Sequence, residues 1–191
     1  VTFPVKVSDL SLLKDQKQKV LHIESLNDTV NKLDVQEGRL PEISGEIFLD
    51  STFASTNGYK VGDRVSLRES EDSSLLVTTG YTVVGIGRSP LYISFNRGNT
   101  TLGTGELSGA AYVLPEDFSY EVYTQVYLKV NEAENLTAYT DAYDTLIAEV
   151  QQRMEDISGE RCEIRYQEIQ DEANEKLEDA RKELADGEAE A

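Results

Sequence analysis

The C-terminal segment, residues 166–191, constrains the fold more than any other part of the chain. Its apolar residues follow one another at gaps of 3, 4, 4, 3 and 4, which places them on one face of a helix. Between Gln167 and Ala191 the chain also carries ten acidic and three basic residues. This apolar stripe is too narrow to bury in a globular core, and it consists of Tyr166, Ile169, Ala173, Leu177, Ala180 and Leu184.

Two interpretations of this predicted helix are open. The spacing suits one strand of a helical hairpin or two-stranded coiled coil whose second strand lies outside the sequence. A solvated helix without a partner, frayed at its end, would show the same pattern. If residues 166–191 are wholly helical, the segment extends about 39 Å at 1.5 Å per residue.

The first 130 residues are rich in predicted strands and turns. The apolar run GEIFLD is a short strand, and Asp50 or Ser51 is positioned to cap the helix that follows it. Gly58 stands where a helix commonly ends in a left-handed residue. A turn at Gly62-Asp63 then leads into a strand that pairs with the run LLVTTGYTVVGIG as a β-hairpin.

A βαβ unit is predicted further along the chain. The run EVYTQVYLKV alternates over ten positions, which strongly favours a strand. Asn131 follows it, with Glu134 at the spacing of a capping box that opens a helix. This helix is expected to end at Ser158-Gly159. A second alternating run, residues 162–166, returns to the sheet, with Cys162 as a small buried side chain.

Together these elements predict an α+β fold. It comprises a mixed or antiparallel β-sheet core with a βαβ unit, and a long, charged C-terminal helix that is part of a truncated coiled-coil hairpin. The core domain is expected to span residues 1–165, and the helical stalk is expected to start over residues 166–191. Both ends of the sequence look like cuts in a longer protein, although a processed secreted protein would begin in the same way.

Charge and composition exclude several classes of partner. The formal net charge is −18, so the surface repels phosphate backbones and anionic lipid headgroups, which excludes nucleic acid as a partner. A single cysteine allows no internal disulfide. The longest uncharged run, from Ser73 to Gly87, has 15 residues and is too short and too polar to span a bilayer.

The sequence contains no recognisable catalytic or metal-binding motif. His22 is the single histidine, so a Ser-His-Asp or Cys-His site would have to include it, and nothing near it suggests one. One Cys and one His are too few for a zinc site. Gly85-x-Gly87 has Pro90 where a dinucleotide-binding loop needs a third glycine, so we interpret it as a β-bulge or tight turn. We expect no cofactor, no metal and no enzymatic activity.

Two apolar features are candidate partner contacts. The loop that begins at Arg88 is rich in Gly, Ser, Thr and Asn yet carries large apolar side chains, and the helical stripe has no predicted cover. Long loops of this kind pack on their own domain or on a partner, and packing within the domain is the alternative for both features. The candidate contact residues are Leu91, Tyr92, Ile93, Phe95, Leu177, Ala180 and Leu184.

Three consecutive motifs resemble a known family. Residues 38–41 have the form G-R-x-P, residues 45–50 the form G-E-I-x-L-D, and residues 58–63 the form G-x-K-x-G-D. In this order they resemble the opening block of the extracytoplasmic core domain in FtsX-like, MacB-type ABC transporter permeases. In the large Gram-positive members a charged helical hairpin interrupts that domain, and the segment ANEKLEDARKELADGEAEA is similar to its first strand. The resemblance covers residues 18–191.

The resemblance implies a location and a mechanism. Such a domain lies on the extracytoplasmic side of the cell membrane, between transmembrane helices of the full-length protein, and a separate cytoplasmic ABC ATPase subunit drives the permease. The family transmits ATP-driven motion to the outer domain, a process called mechanotransmission, and thereby exports, senses or activates an extracellular protein, peptide or lipid partner. No catalytic residues are implied for this segment.

Two other hypotheses fit the composition. A secreted or surface-anchored binding protein could use the helix as an oligomerising stalk. An enzyme of unrecognised type would bring His22 and several carboxylates together in one cleft.

Overall fold

The computed structural model describes residues 2–15, 17–27, 29–69, 74–94 and 96–189, with side chains except at residues 2–3 and 183–189. The chain forms two compact units, Val1–Lys129 and Val130–Ala191. The elements of the first unit are β1 Thr2–Val5, β2 Val7–Lys14, β3 Lys17–Ser25, β4 Asp34–Gly38, β5 Glu46–Asp50, α1 Ser51–Asn57, β6 Arg64–Ser66, β7 Gly80–Arg88, β8 Gly109–Val113, a 3-10 turn Pro115–Asp117 and β9 Gln125–Leu128. The second unit has a 3-10 turn, Asn131–Asn135, and the helix α2, Asp141–Ala189.

Most strands of the first unit join one mixed sheet. Within the described residues its order is β2-β3-β8-β5-β7-β4, and β6 pairs with β7 beyond this path. The pairs β5–β7 and β3–β8 are parallel, whereas the other neighbours are antiparallel. β1 and β9 form a separate two-stranded antiparallel ribbon. This arrangement confirms the predicted α+β class with a mixed sheet.

The βαβ element of this sheet is β5–α1–β7. The predicted helix start is confirmed, since Asp50 Oδ1 accepts a hydrogen bond from Phe53 N at 2.9 Å. Gly58 ends the helix in the left-handed conformation, with φ at 69°. The predicted pairing of β6 and β7 is also confirmed, with Val65 opposite Tyr81.

Alternate residues of the central strands enter two apolar clusters on opposite faces of the sheet. The main core contains Ile47 and Leu49 of β5 together with Phe53 of α1. The smaller cluster on the other face contains Phe48, with Ala110 and Tyr112 of β8. Because both faces of β5 are buried, the strand reads as a continuous apolar run rather than an alternating one.

Gly85 and Gly87 permit a β-bulge in β7. The register of the β5–β7 pair shifts between Ile47 and Phe48, as the sequence interpretation of these glycines predicted. A Cβ at Gly87 would lie 2.7 Å from Phe48 Cζ and 1.9 Å from Asp34 O. Only glycine therefore lets Phe48 and β4 approach the strand this closely.

The predicted strand over residues 121–130 is shorter in the structure. Of these ten residues only Gln125–Leu128 is a strand, and among the described strands it pairs with β1. Its apolar face is the more open one, with Val126 50% exposed and Leu128 45% exposed. Tyr127 points the other way, because its hydroxyl finds an acceptor in the buried carboxylate of Glu24 at 3.1 Å.

The predicted strand over residues 162–166 was wrong. α2 runs without interruption from Asp141 to Ala189, so no βαβ unit lies in this part of the chain, and Cys162 is exposed rather than buried. A strand here would need a neighbour for its backbone groups, whereas a helix satisfies them internally. Arg165 also forms ion pairs with Glu168 at 3.0 Å and Glu172 at 3.7 Å, which suit helical spacing.

The predicted capping box at Asn131 was wrong as well. Residues Asn131–Asn135 form a 3-10 turn without a side-chain cap. The α-helix begins later, where Tyr143 N donates to Thr140 Oγ1 at 3.4 Å. Thr140 is itself a good N-cap residue, and it precedes an acidic first turn that favours the helix dipole.

The boundary between the two compact units lies between Lys129 and Val130. The domain boundary predicted from the sequence, between residues 165 and 166, falls inside α2. The assignment of residues 1–165 to a core domain and 166–191 to a stalk stays a prediction. No helix in the described ranges combines the length and the apolar character that a membrane span requires.

Candidate functional site

Arg97 fastens the loop after β7 to the end of β5. Its Nη2 donates to both carboxylate oxygens of Asp50 at 3.1 Å, and its Nη1 donates to Tyr92 O at 2.9 Å and to Ser94 O. The Asp50 and Arg97 side chains are 4% and 7% exposed. Asp50 also caps α1, so one carboxylate holds the strand, the helix and the loop together.

A cavity of about 540 Å³ lies beside this ion pair. Asp50, Arg88, Ser89 and Arg97 line it, together with the loop residues Tyr92, Ile93 and Ser94. From β4 and the turn before it come Asp34 and Lys32. Within the described part of the chain, Lys32 and Arg88 form no ion pair, so both cations are available to the cavity.

The polar residues of the three sequence motifs each perform a structural task. Arg39 and Glu46 form a two-pronged ion pair, with Nη1 to Oε2 at 2.6 Å, and Glu46 also accepts from Glu42 N at 2.9 Å. The pKa of Glu46 is lowered to about 2, first by the hydrogen bond from Arg39 and then by the backbone N–H of Glu42. Asp63 Oδ2 accepts from Lys60 N at 2.9 Å and closes the turn before β6.

A second group of ionisable side chains lies on the face of the smaller cluster. His22 Nδ1 is 2.7 Å from Asp9 Oδ1, and its ring meets Tyr92 edge-on. Glu24 is 3% exposed; Tyr127 donates to its Oε1, while its Oε2 has no partner among the described residues. Burial raises the pKa of Glu24, and the Tyr127 hydrogen bond offsets part of this rise.

Within the described residues, this group pairs the His22 ring with the Asp9 carboxylate. Within the described ranges, the hydrogen bond to Asp9 is the single one that His22 makes. No three His, Cys, Asp or Glu side chains of the described residues are arranged to hold a metal ion.

The candidate contact residues of the loop differ in their burial. Tyr92 packs against the smaller apolar cluster, and burial raises its pKa to about 12. Ile93 is 93% exposed and Leu91 is 38% exposed. Phe95 lies outside the described residues. The role of this loop in partner contact stays a prediction, with Leu91 and Ile93 as the accessible residues.

The candidate contact residues of α2 are open to solvent. Every side chain from residue 155 to residue 182 is exposed, including Ala180, and Leu177 is 55% exposed. The side chain of Leu184 lies outside the described residues. The helix thus presents an uncovered apolar stripe over at least the range from Tyr166, which is 63% exposed, to Leu177.

Sequence reasoning named the loop residues Tyr92 and Ile93 but missed the basic residues that line the cavity. Arg97 stands 47 positions from Asp50, and no local pattern connects them. Lys32 and Arg88 also come from separate segments. The one available signal was an arginine inside a loop of small polar residues, in a chain that has few basic residues.

Comparison with known proteins gives a structural neighbour but no sequence relative. No protein-family profile matches the chain, and no curated protein matches it. The chain is similar to a solved structure from the class of ABC-transporter extracellular domains.

That structure is the extracellular domain of the noncanonic ABC-type transporter YknZ from Gram-positive bacteria. The two are 16% identical with a TM-score of 0.44, over 70% of this chain and 66% of that chain. This chain therefore spans less than two thirds of its neighbour's length, and a likeness at this level assigns no function.

Proposed function

We propose that this chain is the extracytoplasmic domain of an FtsX-like, MacB-type ABC transporter permease. It would couple cytoplasmic ATP hydrolysis to export, sensing or activation of an extracellular partner by mechanotransmission. The observation that carries the proposal is the ordered series of motifs over residues 38–63. A cytoplasmic ABC ATPase subunit is the implied partner, together with an extracellular protein, peptide or lipid.

The structural tasks of the motif residues support this proposal. Arg39 pairs with Glu46, Asp50 caps α1, and Gly58 ends it. These contacts lie at the start of β5 and at the two ends of α1, so a chain that carries the same motifs is expected to form the same β5–α1 unit. The resemblance therefore concerns a folding unit rather than single residues, and the proposed function rests on analogy with that unit.

The exposed stripe of α2 supports a mechanical role. Ten acidic residues accompany it between Gln167 and Ala191, against three basic ones, so a parallel copy of the same segment would be repelled. We infer that an antiparallel helix of the same protein covers Leu177 in the cell. Residues 166–191 would then be the base of a stalk that reaches away from the membrane, attached to a core domain over residues 1–165.

The location can be tested with Cys162, which is exposed on α2. Intact cells that express the full-length protein are treated with a membrane-impermeant maleimide, with the variant Cys162→Ser as control. We expect labelling that depends on Cys162 and does not require permeabilisation. Labelling only after permeabilisation would place the domain in the cytoplasm and end the proposal.

The exposed stripe also fits the alternative, a secreted or surface-anchored binding protein with an oligomerising stalk. Cell fractionation separates a permease from a secreted protein, because a permease stays in the membrane fraction after high-salt washing. Analytical ultracentrifugation of the 191-residue chain adds a second criterion. A concentration-dependent dimer or trimer that Leu177→Lys abolishes would favour the stalk.

A further inference from the structure

The cavity beside Asp50 and Arg97 occupies a favourable place in the sheet. β5 and β7 are parallel, and both end at it, with Asp50 and Arg88 as their last residues. Crevices at the carboxyl ends of parallel strands are common ligand sites, because side chains from two strands and the loops after them converge there. A volume of about 540 Å³ lies within the range of small-molecule sites.

The charge of the cavity selects one class of ligand. Asp50 and Arg97 neutralise each other, which leaves Lys32 and Arg88 against the single carboxylate of Asp34. The remaining charge is thus +1, in a chain whose formal net charge is −18. A monoanion neutralises this charge, whereas the dianionic form of phosphate, which is a large fraction of phosphate near pH 7, would leave an excess negative charge beside Asp34. The planar fork of Arg88 suits a carboxylate.

The loop supplies an apolar contact that is already in place. Arg97 fixes the carbonyl groups of Tyr92 and Ser94, so Ile93 between them is held at the cavity although its side chain is 93% exposed. Ile93 lines the cavity, so an aliphatic group bound there would bury apolar surface of this side chain.

We propose that this cavity binds a small carboxylate that carries an aliphatic group, with Arg88 and Lys32 on the carboxylate and Ile93 on the aliphatic part. Nothing in the proposed transporter role depends on this site, and the site does not depend on that role.

The probe is N-acetyl-L-leucine, titrated into the 15N-labelled 191-residue protein and followed by 1H–15N correlation spectra. We expect saturable shifts of the backbone amides of Ser89, Tyr92 and Ser94. N-acetyl-L-leucinamide, which lacks the carboxylate, should bind at least tenfold more weakly. N-acetylglycine, which lacks the aliphatic group, should also bind more weakly.

Matched variants assign the contacts. Arg88→Gln should weaken N-acetyl-L-leucine binding at least fivefold, whereas Arg64→Gln, which removes the same charge from β6 outside the cavity, should leave it unchanged. Ile93→Ser should abolish the preference for N-acetyl-L-leucine over N-acetylglycine. If octanoate binds as tightly as N-acetyl-L-leucine, the natural ligand is of the fatty-acid class. That result would also support the proposed site. No saturable shift, equal binding of the amide, or tighter binding of inorganic phosphate would each overturn the proposal.

Discussion

Asp50 is the residue on which most of the local architecture depends. Its carboxylate caps α1 and binds Arg97, and at 4% and 7% exposure neither charged side chain is solvated by water. A buried charge that loses its partner costs far more than an exposed one, because no water replaces the lost interaction.

We expect Asp50→Asn to lower the free energy of unfolding by about 3 kcal/mol. Asparagine still caps the helix, but Arg97 is left buried without a counterion. Urea denaturation followed by circular dichroism measures the loss. Asp63→Asn in an exposed turn is the matched control and should cost at most about 1 kcal/mol. Equal losses for the two variants would contradict the role of the buried pair.

Glu46 makes stability depend on pH in a definite direction. Its pKa in the folded chain is about 2, below the ordinary value of 4.5, so the ionised carboxylate stabilises the fold above pH 4.5. This contribution is lost as the pH falls from about 4.5 toward about 2. Glu24 and Asp117 have the opposite effect on stability. Burial raises the pKa of each, so their ionisation at higher pH opposes folding.

The comparison of wild type with Glu46→Gln isolates this effect, since Glu24 and Asp117 are common to both proteins. We expect the wild type to have the higher melting temperature at pH 6 and the difference to shrink by pH 2.5. Thermal melts at several pH values measure it. A difference that stays constant over this range would show that Glu46 is not held ionised by Arg39.

At the scale of elements, β7 depends on the glycines of its bulge. A Cβ at Gly87 would meet a backbone oxygen and the Phe48 ring, whereas a Cβ at Gly80 of the same strand would meet nothing within 4 Å. We expect Gly87→Ala to cost about 2–3 kcal/mol and Gly80→Ala to change stability by at most about 0.5 kcal/mol. Urea denaturation of both variants checks the prediction. If Gly87→Ala left stability unchanged, the close approach of Phe48 and Asp34 to Gly87 would be refuted.

Among the described side chains of α2, partial burial ends at Met154. Ile147 is half-buried, whereas Leu177 is exposed, although both lie on apolar stripes. We expect Leu177→Lys to change stability by at most about 0.5 kcal/mol and Ile147→Lys to cost about 1 kcal/mol or more. Thermal melts at 222 nm compare the two. A large loss for Leu177→Lys would mean that the described chain itself covers the stripe.

The same helix shows where sequence reasoning at this scale fails. The run from Cys162 to Tyr166 alternates like a strand, but five residues of period 2 are also compatible with an exposed helix. The residues that follow it, Gln167 to Gln170, continue the helical pattern, and the helix runs through Ser158-Gly159 although these residues predicted its end. Periodicity over so short a run cannot decide between the two structures.

At the scale of the whole molecule, the chain combines a folded sheet unit with a long charged helix whose apolar stripe is uncovered. The first is built to hold a fixed shape, since strands, helix and loop meet at Asp50. The second offers length and an open contact surface. The proposed function would use both features, the sheet unit as a fixed body and the helix as the contact surface.

The sequence by itself determined what short-range signals control. The cap at Asp50, the left-handed Gly58, the pairing of β6 with β7, the bulge at Gly85 and the helical stripe depend on residues close in the chain, whose propensities act locally. Only the tertiary structure decided what long-range contacts control. The ion pair of Asp50 with Arg97, the place of the βαβ element and the cavity require segments that meet through the sheet order, which no local pattern encodes.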